Sequence, residues 1–204
     1  MDMRRLCRGI LLPGLTKDDI AKVLADIKPK DDAFEVGLLS DPQSLCAVKS
    51  WIPSGCLPLD IIMGGGYPVG RITEIYGDNS TGKSLLAAQA VAEAQAMGAL
   101  AVFADVESAV SVPLMAELGV DADSLIYYTP DTVDQLIKIL RGAIESKSKR
   151  LGAEHPMIFV WDSIAATTTL TEMEVIETEG LDKRQYASGA IQISAALRSG
   201  LPRL

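Results

Sequence analysis

The run Gly77, Asp78, Asn79, Ser80, Thr81, Gly82, Lys83 and Ser84 constrains the fold of this chain more than any other stretch, because it reads G-x-x-x-x-G-K-[ST]. The apolar, β-prone residues Ile72, Thr73, Glu74, Ile75 and Tyr76 come directly before it, and a helical stretch from Leu85 to Met97, which Gly98 can close, comes after. Strand, glycine loop and helix in that order imply an α/β architecture with the loop at the start of a helix. Such a loop turns backbone N–H groups inward on phosphates, and the helix N-terminus adds partial positive charge. Lys83 would reach the β- and γ-phosphates of a nucleoside triphosphate, and Ser84 would offer its hydroxyl to Mg²⁺. The competing reading is a structural turn before a helix.

The rest of the chain from Trp51 onward alternates in the same way. The glycines Gly64, Gly65 and Gly66 precede the first strand, and further strands are expected at Leu100 to Val106, Leu125 to Thr129 and Met157 to Trp161. Between them lie a short helix near Val112 to Leu118, closed by Gly119, and a longer one over Thr132 to Ser146. The longer helix carries Val133, Leu136, Ile137, Leu140 and Ile144 on one face, and a last helix is expected around Arg184 to Ser199. This alternation predicts a mainly parallel sheet with helices on both faces, and site residues at the carboxyl ends of its strands.

Residues 1–48 read as a separate N-terminal helix and linker, and residues 49–204 as the alternating body. Thr16 with Asp19 three places on is a capping-box-like start for a helix to Ile27. Ile20, Val23, Leu24 and Ile27 form an apolar stripe that must dock either on the chain's own core or on a neighbour, which makes the segment a candidate for oligomerisation.

Composition narrows the class. With 48% apolar and 23% charged residues the chain has the makeup of an ordered globular protein. Three cysteines without C-x-x-C spacing and a single histidine, His155, argue against a disulfide scaffold and a zinc site, and point to a reducing cytosol. The apolar run Ile10, Leu11, Leu12 stops at Pro13, too short for a signal-peptide core, and no uncharged run is long enough to span a membrane. The net charge of −8 gives no global attraction for nucleic acid, so any such contact must be local. Lys147, Lys149 and Arg150 are read as basic residues complementing a helix C-terminus, without a function of their own.

Two further strand ends carry carboxylates. The apolar strand Met157, Ile158, Phe159, Val160, Trp161 ends in Asp162, the pattern of an acidic residue that holds Mg²⁺ opposite a phosphate loop. Asp105 and Glu107 follow the apolar run Leu100 to Ala104, and one of them could orient an attacking water. Spacing does not choose between the two.

Several separated motifs, taken together, resemble one family. Trp51, Ile52, Pro53, Ser54, Gly55, Cys56, Leu57, Pro58, Leu59, Asp60, then Gly66, Tyr67, Pro68, Val69, Gly70, Arg71 and Ile72 to Gly77, look like the segment entering the phosphate loop of RecA-type strand-exchange recombinases. The likeness continues through Asp105, Val106, Glu107, Ser108, through Leu118 to Asp121 and Thr129 to Thr132, and through Asp162, Ser163, Ile164, Ala165, Ala166. The loop, with Asp78 and Ser80-Thr81, looks more like that of recombinases carried by bacteriophages than like that of the main bacterial protein. The resemblance implies an ATP-binding, single-stranded-DNA-dependent ATPase of homologous recombination and repair, with ATP and Mg²⁺ as cofactors, cytoplasmic, and assembled as a homo-oligomer or filament. By position, Lys83 and Ser84 would serve phosphate and Mg²⁺, Asp162 would be the second Mg²⁺ group, and Glu107 would position the water. Ser194 and Arg198 match helix positions that contact the DNA backbone, after a DNA-contacting loop at about residues 172–186.

Three departures accompany the likeness. Glu172, Glu174, Glu177 and Glu179 crowd the loop where a polyanion would approach, against Lys183 and Arg184. Leu114 stands where the family stacks a tyrosine on adenine, replacing stacking by apolar contact. The family also continues into a further buried strand between the Met157 to Trp161 and Ile72 to Tyr76 strands, so the expected fold is a RecA-like phosphate-loop NTPase core incomplete at its C-terminal strands. The leading expectation is thus the N-terminal part of a recombinase. The alternatives are another ATPase of the same fold, such as a helicase-like one, and a non-catalytic module that joins a filament through its N-terminal helix.

Overall fold

The computed structural model describes residues 15–27, 37–38, 47–108, 110–152 and 155–170. The chain divides into two units, residues 1–48 and 49–204. In the first unit, α1 (Lys17–Ile27) begins with a reciprocal cap. The Thr16 hydroxyl and N–H donate to Asp19 Oδ2 at 2.6 and 3.0 Å, and the Asp19 N–H donates back to Thr16 Oγ1 at 3.2 Å. The Thr16 hydroxyl, then its N–H, hold the Asp19 carboxyl below the usual carboxylate range. No residue of α1 is buried, and the stripe residues Val23 and Ile27 are 57% and 56% exposed.

The second unit opens with a short antiparallel ribbon, β1 (Trp51–Ile52) against β2 (Tyr67–Pro68), joined through α2 (Leu57–Met63). Asp60 of α2 ties the turn together by accepting the Ser54 N–H at 2.8 Å. The return from α2 to β2 requires glycine at one position in particular. Gly66 has φ +114°, and a Cβ there would lie 2.3 Å from the Ile52 carbonyl oxygen.

Next come α3 (Lys83–Ala96), β3 (Leu100–Asp105), α4 (Val112–Glu117), β4 (Leu125–Tyr128), α5 (Val133–Arg150) and β5 (Met157–Asp162). The strands form a parallel sheet in the order β4-β3-β5, with Ala101 opposite Leu125 on one side and Leu100 opposite Met157 on the other. The period-two alternation of a strand then sorts its side chains between two cores. Ala101 and Phe103 pack with Ala88 and Val91 of α3, Met115 of α4 and Val120. Ala104 faces the other way, against Val133, Leu136 and Ile137 of α5, with Phe159 and Trp161 beside them. Helices therefore cover both faces, as the alternation predicts. Burial of side chains such as Phe103 and Leu136, with about 1.5–3 kcal/mol for each, is the main force holding the layers together.

The long helix starts where Thr132 caps it, its Oγ1 accepting the Gln135 N–H at 3.3 Å. It runs past the expected end at Ser146 to Arg150, and Lys147, Lys149 and Arg150 occupy its last turn, where cations suit the helix dipole. The Lys149–Glu145 pair at 3.9 Å is solvent-exposed and adds little stability.

One expected strand is missing. Ile72 to Tyr76 forms no ladder, and Ile72 and Tyr76 are 73% and 87% exposed. A strand needs a neighbour to pair its backbone N–H and C=O groups, and among the described residues the sheet ends at β5 with no strand beside this run. Its β-prone composition alone does not supply that partner. The helix expected at 184–199, and the loop at 172–186, lie outside the described residues. No helix among the described residues is long and apolar enough to cross a membrane.

Candidate functional site

Residues 77–82 lead directly into α3, so the glycine loop does stand at a helix N-terminus. Gly82 occupies the N-cap position at φ +94°, a left-handed conformation that a side chain would strain. Ser80 adopts φ +61°, and the Thr81 hydroxyl donates to the Asp78 carbonyl at 2.8 Å, which together curl the loop back on itself. The Lys83 ammonium donates into that curl, to the carbonyls of Gly77 at 3.1 Å and Asp78 at 2.8 Å. The first helical bond runs from the Leu86 N–H to the Gly82 carbonyl, so the amides of Lys83, Ser84 and Leu85 belong to the first turn, which has no intrahelical acceptor. An exposed loop of amides around an ammonium, at the positive end of a 14-residue helix, fits an anionic phosphate chain. Ser84 is exposed at the start of the same helix, where its hydroxyl can serve a cation bound to those phosphates.

The topology brings this loop to the carboxyl edge of the sheet. A tight turn, with the Gly98 N–H donating to the Gln95 carbonyl and the Ala99 N–H to the Ala94 carbonyl, joins the end of α3 to the start of β3. The helix packs back along β3 and β5. Its length of about 21 Å matches the roughly 20 Å of a six-residue strand, so its N-terminus lies over the strands' far ends.

At that edge the two candidate carboxylates of β3 have different surroundings. Asp105 is only 2% exposed, and its oxygens are fully engaged. Oδ1 accepts the Glu107 N–H at 3.1 Å, and Oδ2 accepts the Val110 N–H and the Tyr127 hydroxyl, both at 2.9 Å. Glu107 lies beyond the strand, exposed, with Oε1 accepting the Ser163 hydroxyl at 2.9 Å. The strand stops at Asp105, so the two do not share a strand face, and their environments differ: Asp105 is committed to two backbone amides and the Tyr127 hydroxyl, and Glu107 is open to solvent.

Asp162 ends β5, half-buried and in register with Asp105, and its carbonyl accepts the Val106 N–H at 2.7 Å. Glu107 is thus tied to Ser163, the residue after Asp162, so both carboxylates belong to the same edge. Beyond it the chain is braced: the Trp161 indole N–H donates to Thr167 Oγ1 at 2.7 Å, and that hydroxyl donates to the Ser163 carbonyl at 2.8 Å. Leu114 sits 48% exposed on α4. Ser194 and Arg198 lie outside the described residues.

Two contacts escape motif reading. Ser163 meets Glu107 across 56 positions of sequence, and only the β3–β5 pairing makes them neighbours. Tyr127 reads as an ordinary strand residue until β4 is known to lie beside β3. Partial desolvation first, then the hydrogen bond and negative charge of Asp105, raise the Tyr127 hydroxyl above the usual tyrosine range and keep it a donor.

The chain is 43% identical over 124 residues to the protein named RecA of Petrotoga mobilis, 40% over 122 residues to that of Prochlorococcus marinus, and 44% over 131 residues to that of Mycobacterium leprae. These matches cover 60%, 60% and 64% of this chain but 32%, 30% and 17% of the respective relatives, so the chain spans about a third or less of their length. The sequence model of the RecA N-terminal domain matches residues 21–201, nearly the whole chain, and the chain therefore belongs to the RecA N-terminal domain family.

Proposed function

We propose that this chain binds ATP with Mg²⁺ on Gly77 to Ser84, and that it is the nucleotide-binding part of a single-stranded-DNA-dependent ATPase of homologous recombination and repair. The carrying observation is the phosphate-type loop at the N-terminus of α3, placed at the same sheet edge as Glu107 and Asp162. Gly77, Asp78, Asn79, Ser80, Thr81 and Gly82 would wrap the phosphates with backbone N–H groups, and Lys83 would leave its loop carbonyls for the β- and γ-phosphate oxygens. Ser84 and Asp162 would hold Mg²⁺, which supplies charge neutralisation on the phosphates. Glu107, reachable from solvent and held by Ser163, would orient the attacking water and accept its proton. Asp105 is not a candidate for that work, because all three of its bonds serve the protein.

The relatives carry the name RecA, and this supports assembly on single-stranded DNA as a homo-oligomer or filament in the cytoplasm. Ser194 and Arg198 remain the proposed backbone contacts. A second reading, an interaction module that joins a filament, has its own support in α1, where Ile20, Val23 and Ile27 of the apolar stripe are exposed.

The test compares the chain with its Glu107→Gln variant for ATP binding and for hydrolysis with and without single-stranded DNA. Retained binding with turnover lost by about a hundredfold or more is expected of the variant. A parent chain that binds no ATP would sink the proposal, and one that binds but never hydrolyses, with or without DNA, favours the second reading.

A further inference from the structure

We infer that Tyr127 is a positioning residue for hydrolysis, acting through Asp105 on the loop that carries Glu107. The inference rests on the role proposed above for Glu107. Tyr127 lies opposite Phe103 in the parallel ladder, so it shares a sheet face with Phe103 and Asp105 and meets Asp105 on the diagonal. Its hydroxyl donates to Asp105 Oδ2, the same oxygen that accepts the Val110 N–H, while Oδ1 accepts the Glu107 N–H.

One buried carboxylate therefore grips the chain on either side of Ser108. That grip has something to hold, because Ser108 adopts φ +52°, a left-handed conformation that costs a non-glycine residue strain. Among the described residues Asp105 has three donors, of which two are amides of the gripped loop itself and one, Tyr127, comes from another strand. It fixes the rotation of the carboxylate, and with it the base of Glu107, whose far end is fixed by Ser163 of the other neighbouring strand's exit. The catalytic carboxylate is thus held from β4 through its backbone and from β5 through its side chain. Tyr127 makes none of the hydrogen bonds of the phosphate loop, so its loss is expected to alter turnover and leave nucleotide affinity alone.

The experiment is Tyr127→Phe in the full chain, which keeps the ring and removes the hydroxyl. Amide hydrogen exchange at Glu107 and Val110 should speed up by about tenfold, the effect of losing one hydrogen bond to a charged group, with β3 amides unchanged. The affinity for a non-hydrolysable ATP analogue should stay within about twofold, and kcat should fall by about tenfold through misplacement of Glu107. A destabilised fold would instead raise exchange throughout the sheet. Parent-like exchange at both amides overturns the inference, as does an unchanged kcat. Should the parent bind ATP but turn over none, the second reading of the function is favoured, and the exchange comparison still decides whether Tyr127 holds the loop.

Discussion

Replacing Asp105 separates a structural carboxylate from the one proposed to be catalytic, and the size of the effect follows from its three donors among the described residues. Hydrogen bonds to a charged group contribute about 1.5–3 kcal/mol each, and a buried donor left without an acceptor pays its desolvation in full. Summing three would overstate the loss, because Tyr127 is 45% exposed and Glu107 lies at the surface, so two of the donors can turn to water. Asp105→Ala is therefore expected to cost about 3–5 kcal/mol, in line with breaking a buried charged partnership. Asp105→Asn keeps one acceptor oxygen. Its best orientation leaves that oxygen with Val110 and Tyr127 and turns the amide N–H₂ against the Glu107 N–H, for a loss of about 1.5–3 kcal/mol. In urea unfolding with a slope of about 2 kcal/mol/M, the midpoint should drop by about 1 M for Asn and about 2 M for Ala. Glu107→Gln, exposed and holding a single hydrogen bond from Ser163, should stay within about 1 kcal/mol of the parent in the same assay. An Asp105→Ala variant as stable as the parent would refute the assignment, and so would a Glu107→Gln variant destabilised as much as Asp105→Ala.

Two further outcomes test the frame around the site. Gly66→Ala places a Cβ 2.3 Å from the Ile52 carbonyl oxygen at φ +114° and should cost at least about 3 kcal/mol, lowering Tm by about 6–12 °C, whereas Gly64→Ala, at φ +79° in open space, should cost about 1–2 kcal/mol; equal effects would contradict the described close approach. The α1 cap is expected to be acid-labile, because the folded Asp19 carboxyl titrates below its unfolded value. Its contribution is complete above the unfolded pKa of about 3.9 and is lost as pH falls through the lower folded value, so exchange protection of the Thr16 amide, which donates to that carboxylate, should fade at low pH. Protection that persists unchanged at about pH 2 would show that the carboxylate is not its source.

Local signals were the legible ones. The glycine loop, the Thr16–Asp19 cap and the stripe of Leu136, Ile137 and Leu140 each concern residues within a few positions of one another, where backbone geometry and helical period decide the outcome. The strand ends at Asp105 and Asp162 were visible for the same reason. What remained hidden depends on which strand lies beside which. Ile72 to Tyr76 has a strand's composition, yet among the described residues it has no ladder partner, because pairing is a property of two segments and composition belongs to one. The contrast in surroundings between Asp105 and Glu107 also depends on a neighbour, Tyr127, whose hydroxyl is invisible as a partner until β4 is set against β3. Ser163 stood inside a recognised motif, but its task became readable only when β5 placed it against Glu107.

The central claim is that Gly77 to Ser84 binds ATP, and titration of the full chain with a fluorescent ATP analogue in the presence of Mg²⁺ tests it most directly. Lys83 donates to two loop carbonyls that phosphate oxygens would replace, each exchange forming a charge-assisted bond. Saturable binding by the parent, weakened by about tenfold or more in Lys83→Ala and insensitive to Tyr127→Phe, is the predicted result. Binding of equal affinity in the parent and in Lys83→Ala would contradict it.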